Sequence, residues 1–136
     1  MKDEQEYFRV LLRGPKYPAI VIDADDILPV YNLKELGTAC YFSIPAKGSA
    51  IVSVVDVTGE EFMYMPDKTA LMPGISRKKW TKKRIIDLFN NCETAKEGNM
   101  RYPSKSLSNK RLDVIISEIC DLLSHNGFQR TPNGAR

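Results

Sequence analysis

Apolar residues alternate with polar ones through the first half of the chain and recur at helical spacing in the second half. Within residues 7–66 the apolar runs are short and are bounded by Gly and Pro, a pattern typical of strands and tight turns. Beyond residue 80 they repeat every three to four positions. The pattern predicts an α+β protein with a mostly antiparallel sheet of four to five strands in residues 7–66. Two amphipathic helices follow, at about 81–92 and 108–126, and closure of the sheet into a small barrel is left open.

The clearest strand signal is a hairpin made by residues 50–57 and 60–65 around the dipeptide Thr58-Gly59. Its second strand places Phe62 and Tyr64 on one face and two methionines, Met63 and Met65, on the other. Because both faces carry large apolar side chains, we expect both to be covered, one of them by a partner.

The segments before this hairpin are less regular. Residues 7–13 alternate as a strand with Phe8, Val10 and Leu12 toward the core, and a short link to residues 18–23 favours an antiparallel hairpin. Asn32 can cap a single helical turn that Gly37 ends. Residues 40–44 then read as another strand.

Three carboxylates, Asp23, Asp25 and Asp26, follow the apolar run of residues 18–22. Carboxylate oxygens suit a hard cation, but the Gly and Glu of a calcium-binding loop are missing at their usual offsets. The sequence therefore favours an acidic turn between strands, with a bound cation as the open alternative.

The first predicted helix has a well-marked start. Thr81 suits the N-cap position, and Trp80 just before it can pack on Ile85 as a hydrophobic staple. This gives the single tryptophan of the chain a structural role in the prediction and makes base stacking its second interpretation.

Six cations surround this helix start, where the helix dipole disfavours positive charge by about 0.3–1 kcal/mol per residue. A bound anion would compensate, because a helix N-terminus offers free N–H groups to phosphate or carboxylate. We therefore predict an anion-binding site at this turn; the alternative is an ordinary solvated face. Its residues are Arg77, Lys78, Lys79, Lys82, Lys83 and Arg84, and a secondary basic surface is predicted at Arg101, Lys105, Lys110 and Arg111.

The second predicted helix carries an apolar stripe that runs from Leu112 to Leu123. Gly127 suits the left-handed position after a helix end, so the pattern predicts termination there. The single histidine, His125, falls in the last turn, where we expect a helix-end residue rather than a ligand or base.

Composition places the chain among globular proteins of one domain, with 136 residues of which 43% are hydrophobic and 27% charged. We expect flexible tails at residues 1–6 and 129–136. No apolar run approaches the roughly 20 residues that cross a bilayer, and the polar N-terminus has no signal-like apolar region. Three widely spaced cysteines favour reduced thiols rather than disulfides. These features predict a cytoplasmic protein that does not bind membranes.

The net charge of +3 conceals an asymmetry. Residues 1–67 carry 11 acidic and six basic side chains, whereas residues 68–136 carry six acidic and 14 basic ones. Such a division can mark contact with a polyanion, or an acidic half that faces the basic half of another copy; the alternative is that the basic half is an ordinary solvated face.

Several catalytic chemistries lack their sequence motifs. There is no glycine-rich phosphate loop, no nucleophile elbow and no paired Cys or His at zinc spacing. We therefore expect a non-catalytic protein without cofactor or metal. The favoured function is a protein-interaction or self-assembling homodimeric module, supported by Met63, Met65 and Met72, because methionines adapt to varied contacts. The alternative is binding of RNA, DNA or another phosphate-bearing ligand through the basic helix start.

Overall fold

The computed structural model describes residues 8–43, 51–74, 78–103 and 109–130. They form an α+β fold in which a six-stranded open sheet is covered by helices on both faces. The strands are β1 (Arg9–Val10), β2 (Ala19–Asp23), β3 (Asp26–Val30), β4 (Val52–Val55), β5 (Glu61–Met65) and β6 (Ala70–Pro73). The helices are α1 (Leu33–Phe42), α2 (Lys82–Asn91), α3 (Glu93–Glu97) and α4 (Leu112–Arg130), and a 3₁₀ turn spans Pro66–Lys68.

The sheet is mixed, with the spatial order β1-β6-β5-β4-β2-β3. Four neighbouring pairs are antiparallel and one, β1 with β6, is parallel. The β4–β5 hairpin is the one predicted from Thr58-Gly59, with Val54 opposite Phe62. Alternation along the strands therefore sends successive side chains into two different cores.

The first core lies between α1 and one face of the sheet. Leu36 and Cys40, one helical turn apart on α1, pack with Val21, Phe62 and other strand residues. The second core lies between the opposite face and the helices α2, α3 and α4. Its strand residues are Ile20, Ile27 and Val55, and its helical residues include Ile85, Phe89, Ile115, Ile116 and Ile119. None of the described helices is long and apolar enough to span a membrane.

Two parts of the predicted sheet are wrong. The sheet has six strands extending to Pro73 instead of four to five ending near residue 66, and it is open, which answers the question of barrel closure that the sequence left open. The predicted hairpin between the first two strands does not form, because β1 crosses to the far edge and pairs with β6. Phe8 and Val10 do pack against the first core, but Leu12 is 87% exposed with φ of 71°.

The predicted single turn at Asn32 is the start of a complete helix. Asn32 caps it as expected, since its side chain accepts a hydrogen bond from the Glu35 N–H at 2.8 Å. Gly37 does not end the helix, and the residues predicted as a strand from Cys40 continue it to Phe42. A Cβ at Gly37 would lie 3.5 Å from the Phe8 ring, an ordinary van der Waals contact, so α1 passes next to the N-terminal segment at this position.

The two predicted amphipathic helices are present as α2 and α4. The second begins at Leu112 and continues through Gly127 to Arg130, so the predicted termination at Gly127 is wrong. The sequence also missed the five-residue α3, which starts directly after Cys92. Of the predicted tails, residues 1–6 and 131–136 lie outside the described residues.

The β4–β5 turn is organised around a buried carboxylate. Asp56 is 2% exposed, and its side chain accepts hydrogen bonds from the backbone N–H groups of Lys16, Thr58 and Glu60 at 2.9–3.1 Å. The Thr58 hydroxyl adds a fourth bond at 2.6 Å. Because a buried carboxylate is tolerated when its oxygens are saturated with donors, Asp56 ties the turn to the segment that leads into β2.

Candidate functional site

The start of α2 has the local structure that its sequence predicts. Thr81 is the N-cap, and its hydroxyl accepts a hydrogen bond from the Arg84 N–H at 3.2 Å. Trp80 is 7% exposed and shares the second core with Ile85, as a hydrophobic staple requires. Its indole N–H donates to the Glu61 carboxylate at 3.0 Å. The indole is therefore a buried anchor between sheet and helix, and its burial leaves little ring surface for stacking on a base.

The predicted anion-site cations lie around this helix start, but they are not equivalent. Arg84 lies over the Trp80 ring, 3.7 Å from its centroid, and Lys83 pairs with Asp87 at 2.7 Å one turn along the helix. Lys78 and Lys79 are exposed and Lys82 is half-buried. Arg77 lies outside the described residues.

In the secondary basic surface, too, the cations are not equivalent, because some of them pair with a carboxylate. Lys110 pairs with Glu118 at 2.8 Å, and Arg111 pairs with Asp113 at 3.3 Å. The hydrogen bonds from Lys110 and Tyr102 lower the pKa of the Glu118 carboxyl, in keeping with a stable charge pair. Arg101 is exposed, and Lys105 lies outside the described residues.

One turn brings the two basic segments close to each other. Gly59 adopts φ of 89°, and a Cβ there would lie 3.5 Å from Lys79 Cβ and 2.6 Å from a methyl group of Leu112. The backbone N–H of Trp80 also donates a hydrogen bond to the Gly59 carbonyl oxygen at 2.9 Å. The starts of α2 and α4, with Lys79 on one side and Arg111 next to Leu112 on the other, therefore meet at the β4–β5 turn.

A cleft beside α2 is lined in part by Trp80 and Arg84. It has a volume of about 590 Å³ and runs between the β2–β3 turn, α2 and the start of α3. Its wall carries charges of both signs together with the Trp80 and Leu88 side chains. The charged lining residues are Asp25, Asp26, Arg84, Asp87, Glu93 and Lys96.

The acidic turn between β2 and β3 has a structural role. Asp26 accepts hydrogen bonds from the Thr94 N–H at 3.1 Å and the Thr94 hydroxyl at 2.7 Å, and the Asp25 carbonyl accepts from the Glu93 N–H. The turn thus satisfies donors at the start of α3. Among the described residues, no group of three or more His, Cys, Asp or Glu side chains is arranged to hold a metal ion.

All three cysteines are buried free thiols. Burial raises the pKa of Cys40 and of Cys120 to about 12. Burial also raises the pKa of Cys92, whose sulfur accepts the Ala95 N–H at the start of α3. Because the nucleophile is the thiolate, these groups are packing residues rather than reactive ones.

The thiols provide a direct test of this packing. At pH 8 we expect none of them to react with an aromatic disulfide reagent in the native protein, and all three to react after denaturation. Because the pKa values of Cys40 and Cys120 are raised in the folded protein, above about pH 9 these thiols lose their protons in the unfolded chain while they stay protonated in the folded one. Stability should therefore fall as pH rises above 9, by about 1.4 kcal/mol per pH unit for each fully protected thiol. Rapid native labelling would contradict this arrangement.

The methionines of β5 and β6 form a second candidate surface. Met63 lies opposite Met72 across the two strands, and Met65 lies two residues further on the same face. All three are partly exposed and belong to neither core cluster. Ile51, which precedes β4 and is 37% exposed, continues the alternation onto this face. We call Ile51, Met63, Met65 and Met72 the methionine face.

The position of this face follows from the placement of the helices. The second core uses Ile20, Ile27 and Val55, which lie on the β2, β3 and β4 part of the sheet. Met63 and Met72 lie on the same side of the sheet but beyond that core. The alternation in the sequence identified Met63 and Met65 as one face; the pairing of β6 with β5 adds Met72.

The fold and these surfaces define an α+β protein with an open mixed sheet. No family model and no curated protein sequence matches the chain. The fold is similar to that of a protein from Shewanella amazonensis whose structure was determined by NMR. The two share 17% identity with a TM-score of 0.52, over 92% of this chain and 97% of that protein. This similarity concerns the fold alone.

Proposed function

We propose that the protein is a non-catalytic interaction module that forms a homodimer through its methionine face. The observation that carries this proposal is the position of Met63, Met65 and Met72 on one side of the sheet, partly exposed and outside both cores. Methionine side chains are flexible and polarisable, so they can pack against copies of themselves without a preformed pocket.

The edges of the sheet support a face-to-face contact over strand addition. One outer strand, β1, has two residues, and the other, β3, contains Pro29, which has no N–H to donate. Within the residues that the structure describes, neither edge offers a long row of backbone groups to a second chain. A dimer would therefore bury side chains of the sheet face, in the isologous manner of a two-fold contact.

A second candidate is binding of a phosphate polymer such as RNA or DNA. It is supported by the meeting of two basic helix starts at Gly59, with exposed Lys79 and Arg111 on either side. The ion pair of Arg111 with Asp113 and the stacking of Arg84 on Trp80 reduce the charge that is available to phosphates. Such binding would weaken steeply as salt concentration rises.

One experiment separates the two candidates. We would measure the molar mass by size-exclusion chromatography with light scattering, at low and moderate salt, with and without a short mixed-sequence oligonucleotide. The proposed function predicts a dimer whose mass changes little with salt or oligonucleotide, because apolar contacts are not screened. A monomer that shifts with oligonucleotide at low salt would support the second candidate instead.

Substitutions on the methionine face give the corresponding mutational test. We expect Met63→Glu/Met72→Glu to weaken dimerisation at least tenfold, because two charges per copy would have to be desolvated in the contact. Met63→Thr/Met72→Thr serves as a milder variant that suits a strand. The matched control is Leu33→Glu, which places a charge at a 55% exposed position on α1. An unchanged dimer in both methionine variants, with native circular dichroism, would refute this interface.

A further inference from the structure

We infer that the outer edge of β3 is a strand-pairing surface that the chain itself keeps closed, and that Pro29 and Glu35 prevent a second copy from pairing there. β3 is the outer strand at one end of the described sheet, whereas the methionine face lies on β5 and β6. The closure of this edge therefore does not depend on the proposed dimer.

The register of the β2–β3 hairpin shows which backbone groups of β3 point outward. Asp23 pairs with Asp26 across a two-residue turn, and the closing pair of such a hairpin exchanges both backbone hydrogen bonds. Because bonded and non-bonded pairs then alternate, the backbone N and C=O groups of Ile27 and Pro29 point away from β2. Tyr31, directly after the strand, continues this alternation. The potential donors of the outer edge are therefore at positions 27, 29 and 31.

Each of these three positions is closed in a different way. The Ile27 N–H donates a hydrogen bond to the Asp26 carboxylate at 2.9 Å, and Pro29 has no N–H. The Tyr31 N–H donates to Glu35 Oε1 at 2.8 Å. None of the three positions therefore offers a free N–H to another chain, although β3 pairs regularly with β2 along its whole length.

Glu35 reaches this edge from the first turn of α1. It is the third residue after the N-cap Asn32, and a glutamate at that position commonly bonds to the N–H of the N-cap itself. Here its carboxylate accepts from Tyr31, one residue nearer the strand. Glu35 is exposed, whereas Asp26 also binds Thr94 at the start of α3. Glu35 is therefore the side chain that can be removed with the smaller effect on the fold.

A groove beside β3 leaves space for an added strand. It has a volume of about 520 Å³ and lies between the strand and α1, lined by Leu28 and Val30 on one side and by Thr38 and Ala39 on the other. Main-chain hydrogen bonds supply the affinity when a strand joins a sheet edge. An incoming strand would place its carbonyl groups opposite donors that are absent or already bonded, and unsatisfied buried groups are costly. We therefore attribute the closure to the missing donors rather than to steric obstruction.

The same edge of a second copy is the occupant that restored donors would admit. Antiparallel pairing of β3 with β3 gives a two-fold contact, in which each strand supplies the groups that the other needs. An unpaired strand edge is a template for such pairing, and side-chain caps and proline are means of preventing it.

The variant Pro29→Val/Glu35→Ala tests the closure, because it supplies one N–H and releases another. Valine suits a strand, so we expect native circular dichroism. In light scattering, the mass should rise with protein concentration to about twice that of the wild type, as two-fold pairing requires. The matched control is Pro29→Val/Glu35→Gln, whose amide oxygen can still accept from Tyr31, and it should keep the wild-type mass. A natively folded alanine variant with the wild-type mass at every concentration would overturn the inference.

Hydrogen exchange tests the role of Glu35 in single variants. In the wild type, the Ile27 and Tyr31 amides should exchange slowly although they face away from β2. Glu35→Ala should speed exchange at Tyr31 by about tenfold or more and leave Ile27 unchanged, whereas Glu35→Gln should preserve protection. Unaltered exchange at Tyr31 in Glu35→Ala would overturn the inference even if the double variant failed to fold. The mass of the wild type alone decides the methionine-face dimer, so either proposal can fail without the other.

Discussion

Replacement of Asp56 by alanine should lower the free energy of unfolding by about 3 kcal/mol, because it removes the acceptor of several buried or partly buried donors at once. Each donor left unsatisfied costs roughly 1–3 kcal/mol, and some will recover a water molecule. The donors include the N–H groups of Lys16, Thr58 and Glu60. Urea denaturation followed by circular dichroism measures the change, with the slope of the transition checked for two-state behaviour.

Two variants make this prediction specific to the hydrogen bonds. Asp56→Asn keeps one carbonyl oxygen as acceptor, so we expect about half the loss. Asp25→Ala removes an exposed carboxylate from the other well-defined turn, and its effect should stay within about 0.5 kcal/mol. If Asp56→Ala and Asp25→Ala were equally mild, the buried carboxylate would not organise the β4–β5 turn.

Trp80→Ala should be the most damaging substitution at the start of α2, with a loss of about 3–5 kcal/mol. The indole is 7% exposed, supports the Arg84 guanidinium and donates to Glu61. Alanine would leave a cavity at the point where the sheet, the helix start and Gly59 meet. Thermal and urea denaturation should both report the loss, and the tryptophan emission of the wild type should be that of a buried indole.

The Trp80→Phe variant separates the contribution of apolar packing to stability from that of the indole hydrogen bond. Phenylalanine retains most of the apolar contact but cannot donate to Glu61, so the expected loss is about 1–2 kcal/mol. The alanine variant also tests the stacking interpretation of this residue. Should Trp80→Ala keep wild-type stability and instead abolish oligonucleotide binding, the indole would be a binding residue rather than a staple.

The sequence predicted those features that depend on neighbours in the chain. The start of α2 is correct because the cap at Thr81 and the staple from Trp80 to Ile85 act within five residues. The β4–β5 hairpin is correct because its turn dipeptide and its alternation lie together. The placement of Met63 and Met65 on one face of the strand was predicted from the same alternation.

Features that depend on distant residues were wrong or missed. The α1 helix continues through Gly37, which local propensity treats as a stop, because Leu36 and Cys40 gain burial against the sheet. The pairing of β1 with β6 joins Arg9 to Ala70, and nothing within the short link after residue 13 indicates it. The short link favoured a hairpin because sequential strands usually pair; β2–β3, β4–β5 and β5–β6 follow this tendency, but β1 and β2 do not.

The candidate site also combines features that local sequence indicates with contacts between distant residues that it does not indicate. The sequence located the cations but could not show that Arg84 lies on Trp80 or that Lys110 pairs with Glu118. It also could not show that Gly59 brings two basic segments together, since this requires the path of α4. Composition and residue spacing do not indicate which segments, distant in sequence, come together at a site in the folded protein.

The parallel contact of β1 with β6 bears on the order in which the protein folds. The hairpins β2–β3, β4–β5 and β5–β6 join residues close in sequence, whereas Arg9 must find Ala70 across a long loop. Closing such a loop costs entropy before two residues of pairing can compensate. We therefore expect β1 to dock last and to open first, and the Arg9 and Leu11 amides, bonded to Thr69 and Leu71, to exchange hydrogen faster than those of β2. Equal protection of the two strands would show that the far edge closes together with the rest of the sheet.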